Sequence, residues 1–190
     1  MKHNLLIVLT GFMGSGKSAL GSMVAGKLGI MFYDLDNEIE KGENAHITEI
    51  FRSRCEQHFR SLEVSYLKQL INCKPMVLAL GGGAFAQPEI RETIKKHGGI
   101  TVYLEVPVST LFERLKRKSN RPLLLDENGR LPDDHRLMQR IKKLHSRREP
   151  VYRKANLIIP VQPDWTHEQT TDQILKRLSE HERTIRPEHQ

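Results

Sequence analysis

Short apolar runs alternate along the chain with stretches whose apolar residues recur every three or four positions. Leu5-Leu6-Ile7-Val8-Leu9 is branched and uninterrupted, the pattern of a parallel strand buried on both faces. From Ser18 to Leu28 the apolar residues Leu20, Val24 and Leu28 fall at helical spacing. Met31-Phe32-Tyr33 predicts a second strand, ending in Asp34-Leu35-Asp36. Helices are expected near 46–53 and 56–71, the second carried by Phe59, Leu62, Tyr66, Leu67 and Leu70. Met76-Val77-Leu78-Ala79-Leu80 reads as a third strand running straight into Gly81-Gly82-Gly83. A helix near 88–97 should stop at Gly98-Gly99; Ile100–Leu104 gives a fourth strand and Val108–Lys118 another helix. Residues 119–133 hold Pro122, Asp126, Asn128, Gly129 and Pro132 and predict a mobile loop. A basic helix over 134–149 is expected to end before Pro150. Leu157-Ile158-Ile159 is a fifth strand and 166–180 a last helix.

Five strands interleaved with helices imply an α/β fold: three layers, α/β/α, around a central five-stranded parallel sheet. No internal repeat or linker divides the chain, so residues 1–182 are expected to form one domain, with a polar tail over 183–190. In such a sheet, ligands gather at the carboxyl ends of the strands. There the polar residues become informative. The first strand runs into Gly11-Phe12-Met13-Gly14-Ser15-Gly16-Lys17-Ser18, which fits G-x-x-x-x-G-K-[ST] between a strand and a helix. Such a loop aims backbone N–H groups and a helix N-terminus at phosphate, with Lys17 reaching the β/γ-phosphates and the Ser18 hydroxyl suited to Mg²⁺. At the end of strand two, Asp34 and Asp36 sit at i and i+2, which on an extended segment aims both carboxylates to one side. One could orient metal-bound waters and the other receive an acceptor hydroxyl, or one could cap the following helix. The triple glycine offers either unobstructed N–H groups to a small ligand or a tight connection. Arg121 stands where a loop arginine could swing over phosphates.

Composition narrows the class. With 190 residues, 38% hydrophobic and 28% charged, the sequence describes a globular chain rather than a disordered one. No apolar run approaches the roughly 20 residues of a membrane span, and the first one enters the glycine loop instead of a cleavage site. Two cysteines, Cys55 and Cys73, and scattered histidines offer no metal spacing, and a cytoplasmic setting is expected. The net charge of +7 is uneven: residues 114–154 hold fourteen Lys/Arg against five Asp/Glu. Aromatics do not interleave that block, which argues against a nucleic-acid platform.

The ordered set of motifs resembles the shikimate kinase family, small P-loop kinases related in fold to nucleoside monophosphate kinases, over roughly residues 5–160. The resemblance rests on residues 11–18 and Asp34-Leu35-Asp36 with Glu38-Ile39-Glu40. It continues through Ile50-Phe51 with Glu56, Phe59-Arg60 and Glu63, then Leu78-Ala79-Leu80-Gly81-Gly82-Gly83-Ala84. Val102-Tyr103-Leu104 with Pro107, Arg121-Pro122-Leu123-Leu124, and Arg148 with Pro150 and Tyr152 complete it.

The resemblance implies a P-loop NTPase type of sheet and ATP-dependent transfer of phosphate to the 3-hydroxyl of shikimate, a step toward aromatic amino acids. It implies nucleotide contacts from Gly14, Ser15, Gly16, Lys17, Ser18, Ala19, Arg114 and Arg121, with Arg114 packing on adenine. Mg²⁺ falls to Ser18 directly and to Asp34 through water. The acceptor falls to Asp36, Arg60, Gly81, Gly82, Gly83 and Arg148, the two arginines gripping its carboxylate. Lys17, Asp36 and Arg121 carry the chemistry. A lid over 119–133 and a substrate-binding region over 36–62 are expected to move, and an adenine contact near Gln162 and Pro163 is possible. The expected working form is a monomer acting on a small molecule, without nucleic acid or membrane. Cys55 replaces a glycine common in relatives, and Leu80 a Ser or Thr. A kinase for gluconate or a nucleotide remains the nearest rival. A GTPase lacks its N-K-x-D motif here, and a binding protein without turnover fits poorly with the intact Lys17, Ser18, Asp34, Asp36 and Arg121.

Overall fold

The structure, a computed structural model, describes residues 4–116, 122–126 and 129–185. Within them the chain runs β1 (Leu6–Thr10), α1 (Lys17–Leu28), β2 (Met31–Asp34), α2 (Leu35–Glu43), α3 (Ile47–Leu70) and β3 (Met76–Ala79). It continues through α4 (Pro88–Lys96), β4 (Ile100–Glu105), α5 (Val108–Leu115), α6 (Asp134–Tyr152), β5 (Leu157–Pro160) and α7 (His167–Ile185). All neighbouring strands pair in parallel, in the order β2-β3-β1-β4-β5. Helices cover both faces, as the alternating pattern requires.

Position in the sheet explains the strand sequences. β1 lies in the middle, between β3 and β4, and every residue of β1 and β3 is buried. Only unbroken apolar runs can fill such positions, and each buried branched side chain there is worth about 1.5–3 kcal/mol. β2 is an edge strand, and its Met31 is exposed. Register then brings the strand ends level: Leu9 pairs with Ala79, Asp34 with Ala79 on its other side, and Thr10 with Tyr103. The phosphate loop, Asp34 and the triple glycine therefore emerge along one edge of the sheet.

Three segments differ from the expectations. Asp36 is not on an extended segment, because α2 begins at Leu35 and Asp34 is its N-cap. Pro150 does not end α6, which continues to Tyr152 because the fully buried Tyr152 holds the last turn in place. The helices expected near 46–53 and 56–71, by contrast, are both present as the two halves of α3, which meet at Cys55, where φ 61° and ψ 166° are not helical. The last helix reaches Ile185, three residues into the expected tail.

Candidate active site

Backbone conformation makes the phosphate loop. Gly11, Gly14 and Gly16 adopt φ of 144°, 80° and 94°, values that side chains bearing a Cβ rarely accept. Gly16 is the N-cap of α1, and no side chain caps that helix start. Its first N–H groups and the positive end of its dipole are thus presented to an anion. Lys17 is nearly buried, and its Nζ donates to the Gly11 and Phe12 carbonyl oxygens at 3.0 and 2.9 Å. The ammonium is thereby folded back over its own loop. Arg114, from α5, donates to the Gly14 carbonyl at 3.1 Å.

Asp34 joins two elements with one carboxylate. Its Oδ1 accepts from the Asp36 and Asn37 N–H groups at 3.1 and 3.3 Å, the N-cap of α2, while its Oδ2 accepts from the Ser18 hydroxyl. A hydroxyl and a carboxylate side by side at a phosphate-binding helix start are hard oxygen donors. That donor set suits Mg²⁺, which binds few protein groups and keeps waters and phosphate oxygens. Among the described residues no cluster of three or more His, Cys, Asp or Glu could hold a metal.

Across the cleft the glycine turn works differently. None of Gly81, Gly82 and Gly83 has positive φ; what they supply is room. A Cβ at Gly81 would run into the Asp36 and Glu63 carboxylates, and one at Gly83 would lie 2.7–2.9 Å from the Arg60 guanidinium. Arg60 thus lies against the turn. Its Nη1 donates to Glu63 and its Nη2 to Glu56, both at 2.7 Å. Burial works against the Arg60 charge, but Glu63 and Glu56 outweigh it and the pKa rises. Glu63 is fully buried and also accepts from Gln87 Nε2 at 2.7 Å. Burial pushes its carboxyl up to about 7, against the pull of Arg60, with the Asp36 charge adding to the rise. From α6, Arg148 Nη1 donates to the Gly82 carbonyl at 3.1 Å, and the Tyr152 hydroxyl donates to the same oxygen.

One cleft of about 1130 Å³ gathers these groups. Its walls include Gly14, Gly16, Lys17, Ser18 and Ala19, then Asp34 and Asp36, then Arg60, Gly81, Gly82, Gly83, Arg114 and Arg148. Arg121 lies outside the described residues, although Leu123, two positions on, reaches the wall. Ser15 and Arg114 also line a smaller adjoining cavity of about 220 Å³. Its other walls include Val161, Trp165, Thr166 and His167, which flank Gln162 and Pro163 in the loop between β5 and α7. Sequence reading missed Trp165 and His167; the only aromatic in that loop was the available signal. Glu63 and Tyr152 carry no role in the sequence pattern, since neither spacing nor polarity tells what a buried side chain meets.

A glycine loop and helix start on one wall of the cleft and two guanidinium groups on the other are what a P-loop phosphotransferase requires. The family model for shikimate kinase matches residues 13–179, and the chain belongs to the shikimate kinase family. It is 39% identical to the shikimate kinase of Chlorobaculum parvum over 185 residues, 97% of this chain and 98% of the relative. With that of Chlorobaculum tepidum the identity is 43% over 159 residues, 84% and 83% of the two chains. Among solved structures, shikimate kinase from Acinetobacter baumannii in complex with shikimate superposes with a TM-score of 0.84 at 36% identity, covering 95% and 96%. A gluconokinase from Sinorhizobium meliloti shares the fold alone, with a TM-score of 0.53 at 18% identity and coverage of 95% and 97%.

Proposed function

We propose that this chain transfers the γ-phosphoryl group of ATP to the 3-hydroxyl of shikimate, giving shikimate 3-phosphate and ADP for aromatic biosynthesis. The observation that carries the reading is the pairing of Arg60 and Arg148 beside Gly81–Gly83, across one cleft from the phosphate loop. Two guanidinium groups side by side in the cleft suit a carboxylated polyol, a demand that a neutral sugar would not make.

In this reading the loop amides of 14–19 and Lys17 hold the β- and γ-phosphates, and Arg114 packs on the base beside Trp165. Ser18 and Asp34 would hold Mg²⁺, Asp34 through water, and the ion would supply charge to offset what develops on the phosphate oxygens. Asp36, in the first turn of α2, receives the acceptor hydroxyl and its proton. Arg60 and Arg148 grip the carboxylate, which fixes the ring so that the hydroxyl points in line at the phosphate. Arg121, outside the described residues, is the second cation assigned to the phosphates. Catalysis then comes from positioning and charge stabilisation, the main sources available in phosphoryl transfer.

The reading also has the enzyme working as a monomer in the cytoplasm, apart from nucleic acid and membrane. Part of its basic block is spent within the fold, which supports this. Arg140 donates to the Leu124 and Leu125 carbonyls, and Arg153 pairs with Glu149 and Glu105. ADP release measured with Mg²⁺ and ATP, with and without shikimate and alongside gluconate and nucleoside monophosphates, tests the function. Shikimate-dependent release alone is expected; release driven equally by gluconate would overturn the assignment.

A further inference from the structure

Tyr152 is a buried polar residue that the reaction above leaves unused. It is fully buried at the end of α6, with its ring 5.2 Å from that of Tyr103. Burial pushes its phenol up to about 12, so it remains a donor throughout the working pH range. Arg148 and Tyr152 are four residues apart on one helix and therefore share a face. That shared face exists because α6 runs through Pro150 instead of stopping before it.

Both side chains donate to one oxygen, the Gly82 carbonyl. The other two carbonyls of the turn are taken as well: Gly81 accepts from the Ala84 N–H at 3.2 Å and Gly83 from the Ala86 N–H at 3.1 Å. In a trans peptide the N–H lies antiparallel to the preceding C=O. Drawing the Gly82 carbonyl toward α6 therefore turns the Gly83 N–H to the opposite side, away from α6. The same oxygen also anchors one end of the Arg148 fork, and the guanidinium in turn meets the Tyr152 hydroxyl itself.

We propose that Tyr152 is a positioning residue for the acceptor site: its hydroxyl, sharing the Gly82 carbonyl with Arg148, sets the orientation of the Gly82–Gly83 peptide and of the Arg148 guanidinium. The proposal rests on the acceptor reading given above and predicts an effect confined to the acceptor. Losing one hydrogen bond of this kind should raise the KM for shikimate about two- to tenfold, with kcat and the KM for ATP close to the parent values. Tyr103→Phe is the control, because Tyr103 belongs to the same buried ring pair and its hydroxyl has no hydrogen-bond partner among the described residues.

The experiment is steady-state kinetics on the full chain, Tyr152→Phe and Tyr103→Phe, with both KM values and the melting temperature recorded. A shikimate-specific rise in Tyr152→Phe but not in Tyr103→Phe supports the role. Equal changes in both KM values, or a lowered melting temperature with both KM values unmoved, overturn it and leave Tyr152 a packing residue. If the unsubstituted chain shows no shikimate turnover, the functional reading fails instead, and the two failures are distinct. Should Tyr152→Phe not fold, NMR of the unsubstituted chain decides. The shielded Tyr152 hydroxyl proton should shift on adding shikimate and stay put on adding ADP; indifference to shikimate overturns the proposal.

Discussion

The two walls of the cleft use glycine for opposite reasons. On the nucleotide wall, Gly11, Gly14 and Gly16 supply backbone angles, and the loop is completed by its own neighbours: Lys17 bonds carbonyl oxygens five and six residues back. On the acceptor wall, Gly81 and Gly83 supply space for side chains that arrive from distant elements, Asp36 from α2 and Arg60 from α3. The first wall is a local structure that a short motif can encode whole. The second is a tertiary structure, assembled from four separate parts of the chain. Damage to the first should strike the reaction itself, and damage to the second should strike recognition of the acceptor.

The comparison breaks most sharply at Lys17. Lys17→Ala should lower kcat by at least about a hundredfold, as losing a preorganised charge at the transferring group does, while the circular dichroism spectrum stays unchanged. If shikimate affinity fell and kcat held, the two walls would not be functionally separate. Arg60→Ala and Arg148→Ala come next. Each should weaken shikimate binding roughly thirtyfold or more and leave ATP binding nearly untouched, as isothermal titration of each ligand would reveal. Equal losses for both ligands would remove the carboxylate role.

The smallest effect concerns Glu63, which refines the picture of the acceptor wall. Its carboxyl titrates at about 7 in the folded chain against an ordinary 4.5, so the folded state binds the proton more tightly. The stability this contributes is complete below about 4.5 and is lost as the pH rises through about 7. Glu63→Gln cannot ionise, so its urea midpoint should vary less over that window than that of the parent chain. A parent and variant with parallel profiles would show that Glu63 titrates normally and that burial does not govern it.

The contrast also explains what the sequence could reveal. The strands were legible because sheet position alone demands unbroken apolar runs, and the phosphate loop because its angles need glycine at fixed spacing. Helix α2 was legible only as the capping alternative at Asp34, since Leu35 and Ile39 are its only buried residues and its polar remainder looks like a turn. Pro150 misled because local preference gave way to the burial of Tyr152 two positions later. The residues of the acceptor wall came through family resemblance, and their juxtaposition depends on packing that no spacing records. The contact of Tyr152 with Gly82, seventy residues away, belongs to that kind.

The break in α3 has an energetic meaning of its own. Cys55 holds φ and ψ in a region that is essentially reserved for glycine, at a standing cost on the order of 1–3 kcal/mol. A folded domain keeps only about 5–15 kcal/mol in reserve, so one residue consumes a visible share of it. The chain nevertheless keeps the break, and with it two half-helices that face different duties. The front half lends Ile47, Thr48 and Phe51 to the cleft wall, while the rear half seats Leu67 and Leu70 in the core and carries Arg60 and Glu63. The strained joint lets one element meet both demands, with cleft wall on one side of it and an anchored arginine on the other.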